Sequence, residues 1–371
     1  MNGREFVSIP SPSMDVREFD FDLPAALIAQ EPAAERGAGR LLVLRRDTGR
    51  VAHKAIVDLP ECLRDGDVLV VNDTRVFPAR LMGRRVPSGG AVECLLLGRL
   101  AGDPDEESTS SSSEQWEALM HPGQRLGPGA NVVFEGLPTI HGEILARRFH
   151  GRREIRLWTS DGSPIDDAVD TLGHVPLPPY IKRPDRTGDR DRYQTIFARH
   201  RGSIAAPTAG LHISSALMAA LDRRGVVIVE VTLHVGYGTF QPVRVERIEE
   251  HRLEAERYDV SPIAAAQINL ALDERRRVVA VGTTTTRALE AVARANGGRL
   301  AAGTGETDLF IYPGFDFRVV GGLMTNFHLP RSSLLMLVAA FAGRERVLMA
   351  YREAVAERYR FYSYGDAMLI I

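Results

Sequence analysis

Three observations predict an α/β fold in which an αβα-layered domain carries an inserted small β-barrel. The apolar, largely β-branched runs 68–71, 226–235 and 278–281 read as strands covered on both faces, and helical segments stand between them. From Pro78 the texture changes to about six short alternating segments with no helix among them, the pattern of a small closed barrel. The proline-rich stretch 176–181 suits neither a helix nor a central strand, so it reads as an extended connector returning the chain to the first domain. The predicted division is a loose arm over 1–18, a layered domain over 19–76 plus 175–371, and a barrel over 77–174 with a low-complexity loop at 101–114.

Composition narrows the class. The chain has 371 residues, 44% hydrophobic and 25% charged, with a net charge of -2, which is ordinary for a globular protein with a sizeable core. Cys62 and Cys94 offer no paired spacing for zinc and are expected as structural thiols in a reducing compartment. No apolar run reaches the roughly 18 residues of a spanning helix, and the N-terminus lacks a signal-like pattern, so no membrane and a cytoplasmic location are expected.

In order, residues 1–17 show no periodicity, and 24–30 reads as a Pro-started helical turn before a short strand at 40–45. Gly66-Asp67 opens the strand 68–71, which ends in Asn72-Asp73-Thr74-Arg75, a polar quartet where open α/β sheets place ligands. The alternating segments 79–86, 91–97, 115–120, 130–134, 140–147 and 154–159 supply the barrel.

Pro207 to Phe240 organises the second half: Pro-Thr-Ala-Gly-Leu-His, a helix capped by Ser214 or Ser215 and ended by Gly225, a strand, then Leu-His-Val-Gly-Tyr-Gly-Thr-Phe. His212 and His234 stand at the two ends of this unit, each in or beside a Gly-containing bend. Ser261-Pro262 starts a helix, and the strand 277–281 feeds Gly282-Thr283-Thr284-Thr285-Thr286-Arg287. Such a cradle suits an anion or ribose, because N–H groups and hydroxyls converge at a positive helix start. Residues 310–314 and 323–330 read as strand-to-bend units, Ser332 as the cap of an apolar helix over 334–341, and the chain closes with a helix near 346–358 and a strand near Met368.

Eight motifs in order resemble one family, the S-adenosylmethionine:tRNA ribosyltransferase-isomerases of queuosine biosynthesis. They are Val-Asn-Asp-Thr-Arg-Val from Val71, Pro-Leu-Pro-Pro-Tyr-Ile from Pro176, Arg-Tyr-Gln-Thr from Arg192 and Ala-Pro-Thr-Ala-Gly-Leu-His from Ala206. The others are Thr-Leu-His-Val-Gly from Thr232, Gly-Thr-Phe-Gln-Pro-Val from Gly238, Thr-Asn-Phe-His-Leu-Pro from Thr325 and Tyr-Gly-Asp-Ala-Met from Tyr364. The resemblance implies the same αβα architecture with an inserted barrel. It also implies transfer and isomerisation of the ribosyl part of S-adenosylmethionine onto 7-aminomethyl-7-deazaguanine at the wobble position of tRNA. Epoxyqueuosine-tRNA, adenine and methionine are the products, with S-adenosylmethionine as co-substrate and no permanently bound cofactor or metal. The implied partners are the tRNAs accepting Asp, Asn, His and Tyr, and a monomer is expected. The N-terminal arm, the Ser-rich insert, Ile213 and Thr285-Thr286 depart from the family pattern.

That chemistry needs a base, an acid and partners for ribose hydroxyls. The candidates for proton transfer are His212, His234, His328, Asp73, Glu254 and Asp366. His212 is preferred, then His234, because histidine titrates near neutrality, with Asp73 in an electrostatic role beside Arg75. Gly282, Thr283, Thr284, Thr208, Gly210, Gly236 and Thr239 are expected around S-adenosylmethionine. Arg75, Arg152, Arg153, Arg156, Arg192, His328 and Asp366 are expected to bind substrate, with tRNA lying across the barrel and two arginine-rich clusters at 147–156 and 182–192. A non-catalytic RNA-binding protein using the barrel, and a phosphosugar or nucleoside hydrolase using the cradle without RNA, are the alternative readings.

Overall fold

The computed structural model describes residues 14–100, 113–240 and 242–371. The expectations for the arm before residue 14 and for 101–112 therefore lie outside the described residues.

In chain order the strands are β1 (Arg40–Leu44), β2 (Val51–Ala55), β3 (Val68–Asn72), β4 (Thr74–Val76), β5 (Arg80–Val86), β6 (Ala91–Arg99), β7 (Ser113–His121), β8 (Asn131–Phe134) and β9 (Ile140–Arg147). They continue with β10 (Arg152–Thr159), β11 (His200–Ser203), β12 (Val227–Leu233), β13 (Glu256–Val260), β14 (Val278–Val281), β15 (Gly303–Thr307), β16 (Gly322–Asn326) and β17 (Ala367–Ile370). The α-helices are α1 (Leu59–Cys62), α2 (Ile165–Leu172), α3 (Asp189–Arg192), α4 (Ser215–Arg223), α5 (Pro262–Asp273), α6 (Thr283–Ala295), α7 (Ser333–Ala342) and α8 (Arg344–Ala356).

A 9-stranded sheet runs β15-β13-β12-β3-β14-β16-β17-β1-β2, with β12, β3, β14 and β16 mutually parallel. Its centre is apolar on both faces because helices cover both. Side chains alternate along β3: Val68 and Val70 enter the core beneath α5 to α8, while Leu69 and Val71 enter the core shared with α1 and α4. The same alternation divides Val278 and Ala280 from Val279 and Val281 in β14. Serine caps start three of these helices, with Ser214, Ser261 and Ser332 accepting from Leu217, Ala264 and Leu335 backbone N–H groups at 3.1 to 3.2 Å.

The alternating segments close into a barrel, β10-β7-β6-β5-β8-β9, around Leu81, Trp116, Phe134, Ile144, Ile155 and Leu157. Arg201 of β11 ties the barrel side to the sheet side through ion pairs to Asp166 and Asp170 of α2.

Four expectations need correction. The arm was expected to run to residue 18, yet Val16 and Phe19 are buried and Val16 N–H donates to Glu246 O at 2.9 Å. The helical turn at 24–30 is only a short 3-10 turn, Ala25–Leu27. Thr74-Arg75 is not an open bend: it lies in β4, paired with His200 and Arg201. Residues 310–314 form no strand. Just beyond them, Arg318, Val319 and Val320 N–H groups donate to the buried Glu290 carboxylate at 2.8 to 3.0 Å, so a side chain replaces the ladder partner there.

Candidate active site

The strands β14 and β16 end side by side at the carboxyl edge of the sheet, where a parallel sheet leaves room for a ligand. Gly282 terminates β14 with φ 98°, a left-handed conformation that suits glycine, and turns the chain directly into α6. No side chain caps that helix, so its first-turn N–H groups are left for something else. They border a cleft of about 450 Å³, part of it open to solvent, lined by Gly282, Thr283, Thr284, Thr208, Thr239 and the β16 exit Thr325-Asn326-Phe327-His328.

The four threonines of α6 divide by role. Thr285 and Thr286 hydroxyls donate back to Val281 O and Gly282 O at 2.7 and 3.1 Å, which seals the strand-to-helix turn. Thr283 and Thr284 line the cleft, and among the described residues neither hydroxyl has a protein partner.

Opposite them sits Asn326. Its Nδ2 donates to Tyr362 O at 3.0 Å and lies 3.1 Å from His212 Nε2. A carbonyl can only accept, so the amide nitrogen faces Tyr362 and the imidazole nitrogen of His212 accepts. Asn326 Oδ1 is then buried without a partner among the described residues. A stranded buried acceptor is costly, so this oxygen is suited to a ligand N–H or O–H. Tyr362 itself has φ 74°, a strained conformation for a bulky residue, held by its N–H to Phe327 O at 3.0 Å.

His328 completes this wall. Its Nε2 is 2.9 Å from Thr325 Oγ1, and Tyr351 OH accepts its backbone N–H at 3.2 Å. Burial pulls the imidazole down to about 3, so it is neutral at physiological pH. Among the described lining residues, His328 and Tyr362 are the titratable ones.

The bend after β12 is tied to the same wall from behind. Glu256 accepts from Gly236 N–H at 2.9 Å and from Thr239 Oγ1 at 2.5 Å, and its other oxygen accepts from Arg287 Nη1 of α6 at 2.6 Å. Both charged side chains of that pair are only 3% exposed.

Residues 16–370 match the family described as queuosine biosynthesis protein. The chain belongs to that family. It is similar to the S-adenosylmethionine:tRNA ribosyltransferase-isomerases of Moorella thermoacetica, at 50% identity over 96% of this chain and 100% of the relative, and Desulfitobacterium hafniense, at 49% identity over the same shares. A crystal structure of the S-adenosylmethionine tRNA ribosyltransferase from Thermotoga maritima is similar with a TM-score of 0.53, 38% identity, and coverage of 95% of this chain and 100% of that one. The αβα fold with its inserted barrel is thus a family fold.

Within this member of the queuosine biosynthesis family, the expected site residues fall in several places. Thr208, Thr239, Gly282, Thr283, Thr284 and His328 come together at the cleft. Gly236 stands behind it on Glu256, and Gly210 packs on Thr195, where an added Cβ would sit 2.9 Å from Thr195 Cγ2. His212 lies behind Asn326 and faces a neighbouring pocket; burial holds its imidazole at about 4. His234 does not line the cleft: its Nδ1 is 2.8 Å from Thr74 Oγ1, and it lies so close under Gly202 that a Cβ there would be 2.7 Å from Cε1. Asp73 is buried and accepts from Thr232 Oγ1 at 2.7 Å, with His200 Nε2 at 3.5 Å. Its neighbour Asn72 binds Leu233 N–H and C=O, so the Asn-Asp-Thr run joins β3 to β12 rather than facing the cleft. Asp366 staples two backbones, accepting from Arg40 and Arg360 N–H groups at 2.9 and 2.8 Å.

The arginine clusters are largely spent inside the protein. Arg152 pairs with Glu117 and Glu254, and Arg148 with Glu154. Arg153 is buried, donating to Leu126 O and Gly123 O at 2.8 and 2.7 Å. Arg156 has Glu143 at 3.7 Å. Arg192 donates to Ala33 and Ala34 carbonyls, and Arg75 is exposed on β4. Asn326, Tyr362 and Glu256 are functional candidates that sequence reasoning passed over. Asn326 carried the same signal that drew attention to Asp73, a polar residue straight after a buried strand; Glu256, in a polar run, carried none.

Proposed function

We propose that this chain is an S-adenosylmethionine:tRNA ribosyltransferase-isomerase. It moves the ribosyl group of S-adenosylmethionine to 7-aminomethyl-7-deazaguanine at the wobble position of tRNAs accepting Asp, Asn, His and Tyr, releasing adenine and methionine. It acts as a cytoplasmic monomer with no permanently bound cofactor. The observation that carries the reading is one cleft where an uncapped helix start faces a stranded amide oxygen and a neutral imidazole. The relatives' names supply the reaction.

In this reading the Thr283 and Thr284 hydroxyls and the α6 N–H groups hold the ribosyl or carboxylate oxygens of the donor, with Thr208 and Thr239 alongside. Asn326 Oδ1 accepts an N–H or O–H of the substrate. His328, the imidazole on the cleft wall, takes the proton-transfer role at the C5′ hydrogen that the sulfonium acidifies. His212 acts through Asn326. The modified nucleotide approaches along the groove between barrel and sheet, a space of about 1170 Å³ with its solvent opening included, whose wall includes Pro176 to Pro179, Ile204 and Tyr237.

Incubating the protein with S-adenosylmethionine and precursor-modified tRNA tests the proposal: adenine and methionine should be released only when the tRNA is present. Release equally fast without tRNA would favour a hydrolase, and no release from folded protein would favour a binding protein. His328→Ala should slow release by about 100-fold or more; near-normal turnover would remove His328 from proton transfer.

A further inference from the structure

Beside the cleft lies a second pocket, of about 380 Å³ with the space open to solvent included, whose wall includes Arg36, Arg192, Arg360, His212, Ser363 and Tyr364. Ser363 lines both spaces, and the His212–Asn326 contact forms a partition between them. The arginines here differ from those on the barrel. Close by, Arg183 is paired with Asp189 and Glu31, and Arg186 with Glu31. Among the described residues no carboxylate pairs with Arg36, Arg192 or Arg360.

Their neutral partners hold them in place without cancelling their charge. Arg192 donates to two carbonyls at the 33–34 turn, and Arg36 Nη2 donates to Asp191 O at 2.6 Å. Arg36 Nη1 is buried with no hydrogen-bond partner among the described residues. The Arg360 backbone N–H is fixed on Asp366, while its guanidinium makes no hydrogen bond or ion pair among the described residues. Burial, and then the neighbouring charge of Arg192, pull the Arg36 guanidinium below its ordinary range. Only Glu35, which is exposed, adds an acidic group to the lining. Three cations outnumber the one carboxylate of the lining, with Asp191 acting on Arg36 and Asp366 on His212 from just outside it, so the pocket favours an anion, and guanidinium forks match the oxygens of a phosphate bidentately.

We propose that this pocket binds a backbone phosphate of the RNA substrate next to the nucleotide being modified, an inference that rests on the function proposed above. The carboxylate of S-adenosylmethionine is the other anion at hand. On the function proposed above, the uncapped α6 start takes that carboxylate, on the far side of the His212–Asn326 partition, which leaves the arginines to the RNA.

The test measures kcat/KM for tRNA, KM for S-adenosylmethionine, and direct tRNA affinity against salt, for the unmodified protein, Arg360→Gln, Arg360→Lys and Arg36→Gln. Arg360→Gln should lower kcat/KM for tRNA by on the order of ten-fold and reduce the magnitude of the log–log salt slope by about 0.7 to 0.9, the value of one lost phosphate contact. KM for S-adenosylmethionine should not move. Arg360→Lys should keep the salt slope, because the charge remains. An unchanged tRNA affinity and slope in folded Arg360→Gln overturns the proposal, and so does a loss confined to KM for S-adenosylmethionine. Should the Arg36 variant fail to fold, Arg360 decides alone. If the unmodified protein binds tRNA with this salt dependence but releases no adenine, the reaction proposed above fails while the phosphate pocket stands.

Discussion

His212 Nε2 lies 3.1 Å from Asn326 Nδ2, and the same amide nitrogen donates to Tyr362 O at 3.0 Å. This pair converts a histidine that resembles a catalyst into a group that holds an asparagine. The imidazole is neutral and accepts from Asn326, which leaves the amide oxygen buried without a partner among the described residues, on a side chain that lines the cleft. Strain at Tyr362 serves the same end, since its left-handed backbone presents the carbonyl that Asn326 needs.

His212→Ala should therefore slow product formation by about ten-fold, the effect of one buried hydrogen bond, and not by the 100-fold or more expected of a general base. His212→Gln, whose side-chain oxygen can accept from Asn326, should recover most of the loss. The shape of the pH–rate profile should stay as in the unmodified protein. A loss beyond 100-fold with one limb of the profile missing would return His212 to proton transfer.

The threonines of α6 give an internal comparison. Thr283→Val removes a hydroxyl that faces only the cleft, so KM for S-adenosylmethionine should rise by roughly three- to ten-fold with the melting temperature unchanged. Thr285→Val removes a hydroxyl that donates to Val281 O at 2.7 Å inside the turn, so it should lower stability by about 1 kcal/mol. Equal effects from the two variants on both quantities would mean that the hydroxyls do not divide between ligand and fold.

The architecture was legible because its signals are local. Runs such as Val68 to Val71 are apolar at every position only when both faces are covered, and serine caps sit where their helices begin. The edge strands β2 and β15, and β13 beside β15, escaped notice because they are partly exposed and polar, with no periodicity to separate them from loops. At the site, the bends were visible but the direction of each side chain was not. Asp73 and His234 lie at strand ends, as expected of ligands, yet each is directed at a neighbouring strand or bend, on Thr232 and Thr74. Asn326 sits at the same kind of position and faces the cleft. The pairing inside the charge clusters was hidden for a related reason: the glutamates that neutralise Arg152 come from positions 117 and 254, which no local reading brings near it.

Glu256 and Arg287 form a buried pair whose two halves hold the bend after β12 against α6. Glu256→Gln removes the countercharge and leaves one amide oxygen to serve Gly236, Thr239 and Arg287, so the Arg287 charge stays buried beside the neutral Leu309 and Thr307 carbonyls, at 2.9 and 3.4 Å. Breaking such a pair costs about 3 to 5 kcal/mol. Urea unfolding of this variant should show that loss, and replacing both residues by apolar ones of similar volume should cost less than either single change. A single variant within about 0.5 kcal/mol of the unmodified protein would show that the pair does not hold the bend.

Acid stability follows from the buried histidines. Burial lowers His212 from 6.5 to about 4 and His328 from 6.5 to about 3, and both are fully enclosed. The unfolded chain protonates these groups as pH falls through about 6.5, whereas the folded protein refuses the proton until much lower pH. Between those values the unfolded state binds more protons, so stability rises with pH and is lost on acidification. Each of the two groups contributes at most about 1.4 kcal/mol per pH unit, approached below pH 6. The native carboxylates held low, such as Asp189, add their own loss only nearer pH 4, below the histidine window. Urea unfolding at pH 7.5, 6.5, 5.5 and 5 should thus give free energies that are flat above about pH 7 and fall steeply below 6. His212→Gln should be less steep by about one proton over the same range. A curve that stays level from pH 7.5 to 5, or one that His212→Gln leaves equally steep, would show that His212 is not held neutral in the folded protein.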